Sequence, residues 1–521
     1  MKRTFLRIIV VFLCLCFFCP AFLGTNAQAA TYSRKPPARV ENDPNDPEAA
    51  QNITDIKLVT HYSGFQNIKF LFNNLEYSTN SPKDSASLTI EYADGIGYLY
   101  LIFDGAYEPY TMTNNDTGTT VTVGQNGFLH DLVDLTSLFG AAPSSVTVNF
   151  ANGPVYLTEL MMFSPGYLPD YVQVWEPAKA GETDLILFST HGDDDQLFFA
   201  GLLPYYTALD YEVLVVYMAD HSIRQTYRLH EMLNGLWNCG VTTYPVLGRF
   251  GDFFEEDIEV AYRIFQQSGV TKNDIVEYVT EQIRIYTPKV VVGHDFAGEY
   301  SHAQHMIFAE CLAAAVEISN DPSQFPESAE AYGVWDVPKA YFHLYEENPI
   351  VMDWDTPMEE LDGYTPFQIT QLFGYTQHVS QQESWVSNWI NGINFSIDKA
   401  SQITEYSPCE YGLYRTTVGL DVEKNDFFEN VTTHAEDAIW EAQRLAEEAA
   451  AEEAAAEEAR KAEEAERLAA EEAARKAAEQ KEAYKIEAEK AEKKQKIMLF
   501  SGSGVLLLVS FILIILIFRK R

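Results

Sequence analysis

The chain predicts a multidomain fold: an N-terminal β-sandwich, an α/β Rossmann-like domain on a parallel sheet, a long C-terminal helix and one transmembrane helix. Three observations predict it. Short alternating strands punctuated by Gly, Asn, Asp and Pro occupy residues 53–177, and strand and helix patterns then alternate through 178–435. An Ala/Glu/Lys/Arg tract, 436–496, and an apolar run, 497–518, close the chain. At 521 residues the chain is also too long for one ordinary core.

Residues 1–29 carry Lys2, Arg3 and Arg7, then an apolar stretch to Leu23 and the small-x-small triplet Ala27-Gln28-Ala29, the form of a cleaved signal peptide. Residues 30–52, rich in Pro, Asn and Asp, read as a flexible leader. In 53–177, Leu88–Tyr92, Tyr98–Phe103, Thr120–Val123 and Val146–Phe150 read as strands of a jelly-roll-type sandwich. Its tyrosines (Tyr92, Tyr98, Tyr100, Tyr107, Tyr110) suggest a sugar-stacking face, against the plainer reading of core and edge aromatics. Beyond Glu176-Pro177, Leu185–Ser189, Val213–Met218 and Lys289–Val292 read as buried strands. Gln196–Leu209, Ile223–Trp237 and Asp274–Tyr286 read as helices.

The tract 436–496 holds 19 acidic and 12 basic residues, with Glu457/Lys461, Glu463/Arg467, Glu471/Arg475 and Glu472/Lys476 at favourable i,i+4 spacing. Leu445, Leu468 and Ile486 make no heptad seam, so a solitary stalk of ~90 Å is expected rather than a coiled coil. Residues 497–518 would span ~33 Å as a helix, with 519–521 (Arg-Lys-Arg) as a cytoplasmic tail. This predicts a single-pass cell-membrane protein with its globular domains outside the cytoplasm.

The stalk's net charge of −7 leaves −33 of the total −40 to the rest of the chain, which argues against nucleic acid as a partner. Three of the six cysteines lie in the signal segment. Cys239, Cys311 and Cys409 are an odd, scattered set with no disulfide framework and no C-x-x-C knuckle, so a metal would rest on His and carboxylate.

Two clusters supply such donors: His191-Gly192-Asp193-Asp194-Asp195 after the first α/β strand, and Tyr300-Ser301-His302-Ala303-Gln304-His305 after the third. Ligands of open α/β sheets bind beyond the carboxyl ends of strands, where both clusters fall. A His and a carboxylate three residues apart, closed by a distant His, suit a hydrolytic metal with one position left for water. Taken singly, the Asp run could cap a helix or bind calcium, and the His pair could be surface residues. His294, Asp295, Asp220 and His221 also follow strands and are rival ligands or supporting residues.

The stretch from about Thr183 to Thr433 resembles the PIG-L/LmbE-like zinc-dependent de-N-acetylases. Their His-Pro-Asp-Asp-Glu motif is matched by His191–Asp195, and their Tyr/Gly-x-His-x-Asp-His motif by Tyr300–His305. The resemblance implies one Zn²⁺ held by His191, Asp194 and His305, Asp193 as general base, and His302 with Tyr300 as oxyanion or leaving-amine partners. Arg228-Leu-His-Glu231 and Gln377-His378-Val379-Ser380-Gln381 echo two further motifs, which makes Arg228 and His378 candidate substrate contacts. Gly192 replaces Pro and would loosen the loop, Asp195 replaces Glu, and Gln304 replaces an Asp that would orient the neighbouring imidazole.

Two neutral imidazoles and one carboxylate leave a zinc site at net +1, which lowers the pKa of bound water toward ~7. The implied function is removal of N-acetyl groups from an N-acetylglucosamine-type aminosugar of an envelope or extracellular glycan. A surface glycan-binding or adhesion protein with a weak or inactive site, and a metal amidase on a non-sugar substrate, fit the same residues.

Overall fold

The computed structural model describes residues 34–77, 83–222, 225–382, 385–500 and 514–515, with side chains to 497 in the last helix. The expected signal peptide, 1–29, lies outside them. One compact unit ends at His434 and a second begins at Ala435.

The first unit opens with two antiparallel sheets. Strands β1 (Val59–Ser63), β2 (Ala86–Glu91), β4 (Tyr110–Asn114), β5 (Thr119–Val123) and β7 (Ser145–Phe150) pair in the order β1-β2-β7-β4-β5. Strands β3 (Tyr98–Phe103), β6 (His130–Asp134) and β8 (Leu157–Phe163) pair as β6-β3-β8. In β2 and β4 buried and half-buried residues alternate, the period-2 signature of a strand with one face in a core. Leu88, Met112 and Val148 from one sheet share that core with Leu99, Leu101 and Leu160 from the other. The leader is not free of this body: Asn52 bridges to Phe163, Ala49 bridges to Tyr167, and Ala50 is buried.

Four of the five tyrosines named for a sugar-stacking face, Tyr98, Tyr100, Tyr107 and Tyr110, are buried or tied to the protein interior. Tyr100 and Tyr110 are 1% exposed. The Tyr98 hydroxyl donates to Gly166 O, and those of Tyr107 and Tyr110 to Phe128 O and Asp131 Oδ2. Half-buried tyrosines whose hydroxyls are tied inward serve the core, not a ligand.

The α/β layer is a six-stranded sheet in which β9 (Leu185–Ser189), β10 (Val213–Tyr217), β13 (Val290–Gly293) and β14 (Lys339–His343) run parallel, in the order β10-β9-β13-β14. An antiparallel edge of β16 (Glu410–Thr416) and β15 (Pro349–Val351) follows. A short parallel pair, β11 (Ala219–Asp220) with β12 (Phe250–Gly251), stands apart. Every residue of β9, β10 and β13 is buried, as expected of a sheet covered on both faces. From β9 the chain moves outward to β10 and later returns to β13 on the opposite side. The switch point therefore lies between the carboxyl ends of β9 and β13.

The helix expected over Gln196–Leu209 is two pieces, Asp194–Leu197 and Leu202–Ala208, broken at Gly201. Gly201 has φ +97°, and a Cβ there would stand 2.5 Å from Trp354 Cγ.

The second unit is described by the helix His434–Phe500, 67 residues, ~100 Å at 1.5 Å per residue. From Ala438 to Ile497 its side chains are exposed, and they pair along the surface, Lys461 with Glu457 at 2.7 Å and Lys476 with Glu472 at 2.9 Å. Among the described residues no helix is long and apolar enough to cross a membrane. This corrects the expected transmembrane helix at 497–518, the single-pass location and the membrane as partner. The helix that carries the chain toward its end is charged alanine-rich polymer, and 501–513 and 516–521 lie outside the described residues.

Candidate metal centre

The turn after β9 and the helix Ala303–Ile318, which starts just beyond β13, meet at the switch point. His191 Nδ1 stands 3.0 Å from Asp194 Oδ2, His305 Nε2 stands 3.2 Å from the same oxygen, and the two nitrogens are 3.2 Å apart. Donors ~2.1 Å from one ion, at angles between octahedral and tetrahedral, lie ~3.0–3.4 Å from one another. These three side chains therefore fit one divalent ion, and all three are buried. Burial pushes the Asp194 carboxyl up, but the imidazoles of His305 and His191 hold it well below the usual range, so it is an ionised donor.

The imidazoles are aimed by a residue the sequence reading missed. Glu299, fully buried, accepts from His294 Nδ1 (2.9 Å) and His305 Nδ1 (2.6 Å) on one oxygen, and faces His343 Nδ1 (2.6 Å) with the other. With its Nδ1 proton committed, His305 presents the Nε2 lone pair to the triangle. Three imidazoles outweigh burial and keep Glu299 ionised, well below its ordinary pKa. Glu299 sits immediately before the second cluster, but His343 arrives on β14, a strand with no legible signal.

The rival ligands have other partners. His294 Nε2 accepts the Thr190 N–H (3.0 Å) and His221 Nε2 accepts the Gly192 N–H (3.1 Å), so both lone pairs are taken. Asp220 Oδ1 and Asp295 Oδ1 cap their own turns at Ser222 N and Ala297 N. The Gly192 contact also reverses an expectation: a proline would lack this N–H, and here it ties the loop to His221 rather than loosening it.

Asp193 is buried and accepts from Arg228 Nη2. Burial raises its pKa, the Arg228 guanidinium opposes this, and the net direction is upward. Arg228 thus stands against the expected base. The His302 ring lies 4.8 Å from the rings of His191 and His305. Burial and those two neighbours pull its pKa down to about 2, and its Nδ1 accepts the Gln304 N–H, so the neutral ring carries its proton on Nε2.

Gln304 does not reach His302 with its side chain. It donates to Gly251 O (2.9 Å) and accepts from Phe253 N (3.1 Å), gripping the segment that carries Asp252. Asp252 Oδ1 lies 3.5 Å from His191 Nε2, a carboxylate missed in the sequence. Tyr300 packs edge-on to both His302 and His305, with burial first and Asp194 second raising its pKa, so the hydroxyl stays protonated. Asp195 is buried, which lifts its pKa to about 8.

His378 stands apart from this group. It is 1% exposed, its Nε2 has no hydrogen-bond partner among the described residues, and it abuts Gly235 of the helix Thr226–Asn238. The two weak motif echoes do meet: Glu231 accepts from the backbone and hydroxyl of Ser380 at 2.7 and 2.6 Å. Besides the groups His191–His302–His305 and Asp194–His294–His305 at this site, Glu76, His130 and His230 also bring donor atoms together. There Glu76 already accepts from Arg39 and Asn234, and His130 Nε2 lies 2.8 Å from His230 Nδ1, so the group closes on itself.

A buried His₂–Asp triangle at the switch point of a parallel sheet, with carboxylate-backed imidazoles, has the donor set that could hold one divalent ion of the hydrolytic kind. Residues 186–316 match the PIG-L family, described as GlcNAc-PI de-N-acetylase, and that stretch of the chain is a PIG-L domain. The chain is 30% identical over 148 residues to 1D-myo-inositol 2-acetamido-2-deoxy-α-D-glucopyranoside deacetylase 2 from Saccharopolyspora erythraea, covering 27% of this chain and 51% of that one. A similarly named deacetylase from Catenulispora acidiphila is 21% identical over 281 residues, 48% of this chain and 84% of that one. The chain spans about half the length of the first curated relatives it matches. Among solved structures, the N,N'-diacetylchitobiose deacetylase from Pyrococcus horikoshii aligns at TM-score 0.29 and 13% identity, covering 44% of this chain and 82% of that one.

Proposed function

We propose that this chain is a metal-dependent hydrolase that removes the N-acetyl group from an N-acetylglucosamine-type sugar. The observation that carries the reading is the triangle of His191 Nδ1, Asp194 Oδ2 and His305 Nε2, with sides of 3.0–3.2 Å. The PIG-L match and the names of the relatives support the acetamide as substrate. His191, Asp194 and His305 would hold one divalent ion, and two imidazoles with one carboxylate suit Zn²⁺. When bound, such an ion supplies Lewis acidity and lowers the pKa of water.

The chain's own residues perform the proton work. The Asp193 carboxylate takes a proton from the attacking water as the new C–O bond forms, with Arg228 holding the carboxylate in place. Negative charge grows on the acetamide oxygen. His302 Nε2–H and the Tyr300 hydroxyl, both protonated, are the donors for it. As the C–N bond breaks, the proton on Asp193 passes to the amine, leaving acetate and the free amino sugar.

Acetate release from N-acetylglucosaminyl-inositol and from N-acetylglucosamine oligomers, measured with and without chelator, tests this. Asp193→Asn is expected to lower kcat by ~10²–10⁴ while metal still binds. Unchanged release in that variant would sink the assignment.

A further inference from the structure

We propose that Phe254, Tyr300 and Trp385 form a stacking subsite for a second pyranose ring, so that the ligand is a glycan of two or more sugars rather than a lone amino sugar. The proposal rests on the deacetylase reading only for where the acetamide-bearing ring sits.

The aromatic surface is continuous with the metal centre. Tyr300, whose ring centroid is 5.4 Å from that of His305, lies parallel to Phe254 (1° between planes, 6.1 Å) and edge-on to Trp385 (90°, 5.8 Å). Phe254 is 61% exposed and Trp385 is 50% exposed, beside a centre whose donors His191, Asp194 and His305 are buried. Trp389 packs 4.7 Å from Trp385 and 4.9 Å from Tyr300, so the exposed indole is braced from behind. Tyr300 adopts φ 46°, ψ 34° and Ser301 follows at φ 59°. Two successive non-glycine residues in the left-handed region cost ~1–2 kcal/mol each, and this bend sets the Tyr300 ring among the other aromatics.

Large aromatics left bare at the lip of a polar centre mark a ligand surface. The chemistry favours a sugar: aromatic faces carry a negative quadrupole and complement the C–H-rich face of a pyranose. The chain carries a net charge of −40, which repels anionic ligands but not a neutral N-acetylated glycan.

The test measures the full chain on N-acetylglucosamine, its β-linked trimer and an octyl N-acetylglucosaminide, by acetate release and by calorimetric binding. Trp385→Ala and Phe254→Ala are each expected to cut the trimer-to-monomer ratio of kcat/KM about ten-fold, and Trp385→Phe to restore it. If no compound releases acetate, the deacetylase reading fails and binding still decides the subsite. Trimer binding stronger than monomer binding and lost in both alanine variants supports it. Equal affinity for trimer and monomer, or a trimer preference indifferent to both variants, overturns it. So does an equal dependence for the octyl glycoside, which would make the occupant an apolar chain.

Discussion

Glu299 accepts from His294 and His305 and faces His343, so one substitution tests whether the imidazoles are aimed by it. Replacing a carboxylate behind a metal-ligating imidazole weakens metal affinity ~10–100-fold. Glu299→Gln is expected in that range by chelator competition, with the fold retained because an acceptor oxygen remains. Gly192 gives a second residue-scale prediction. A Cβ there meets Met232 Sδ at 3.4 Å and His221 at 3.5 Å, ordinary contacts, so Gly192→Ala is expected to be nearly neutral. Gly192→Pro deletes the N–H to His221 Nε2 and is expected to cost ~1–3 kcal/mol in denaturant midpoint measurements, although proline is the family's residue there. The departure at Gly192 is matched by His221, a compensation visible only in three dimensions.

Strands β9, β10 and β13 were legible because they lie inside a sheet covered on both faces and read as unbroken apolar runs. Both donor clusters then followed from the rule that ligands sit past carboxyl ends of strands. Strand β14 was not legible, since it opens with Lys339, a residue that argues against a buried strand. Lys339 is fully buried and pairs with Asp421, 82 residues away, a partner that no local pattern announces. His343 was lost with that strand, and Asp252 was hidden because Gln304 holds its segment from another helix.

At the same scale, His378 lies behind the helix Thr226–Asn238, and burial first and Arg228 second lower its pKa to about 3. Unfolded, it titrates near 6.5. Between those values the unfolded chain takes up a proton that the folded chain refuses, so the stability this group allows is full above pH ~6.5 and falls with pH, by at most about 1.4 kcal/mol per unit. His378→Gln should flatten the decline in urea midpoint between pH 7 and pH 5; an unchanged slope would remove His378 from the account.

Across the whole molecule, the sandwich and the α/β layers belong to one compact unit, joined where Tyr100 OH, His130 and His230 form a buried polar chain with 2.8 Å links. The charged helix His434–Phe500 has another character, stabilised along its own surface by i,i+4 pairs. A peptide of residues 434–497 is therefore expected to be helical and monomeric by sedimentation, losing helicity in 1 M salt as the pairs are screened. A stable dimer would contradict the absence of a heptad seam.

The central claim is that His191, Asp194 and His305 hold the ion on which deacetylation depends. The most direct test strips the full chain with chelator, adds Zn²⁺ stepwise and follows acetate release from an N-acetylglucosamine substrate. The account predicts activity that vanishes with the metal, returns in step with one equivalent of Zn²⁺ per chain, and does not return in His305→Ala. Full activity in the stripped protein, or restoration in His305→Ala equal to that of the parent chain, would contradict it.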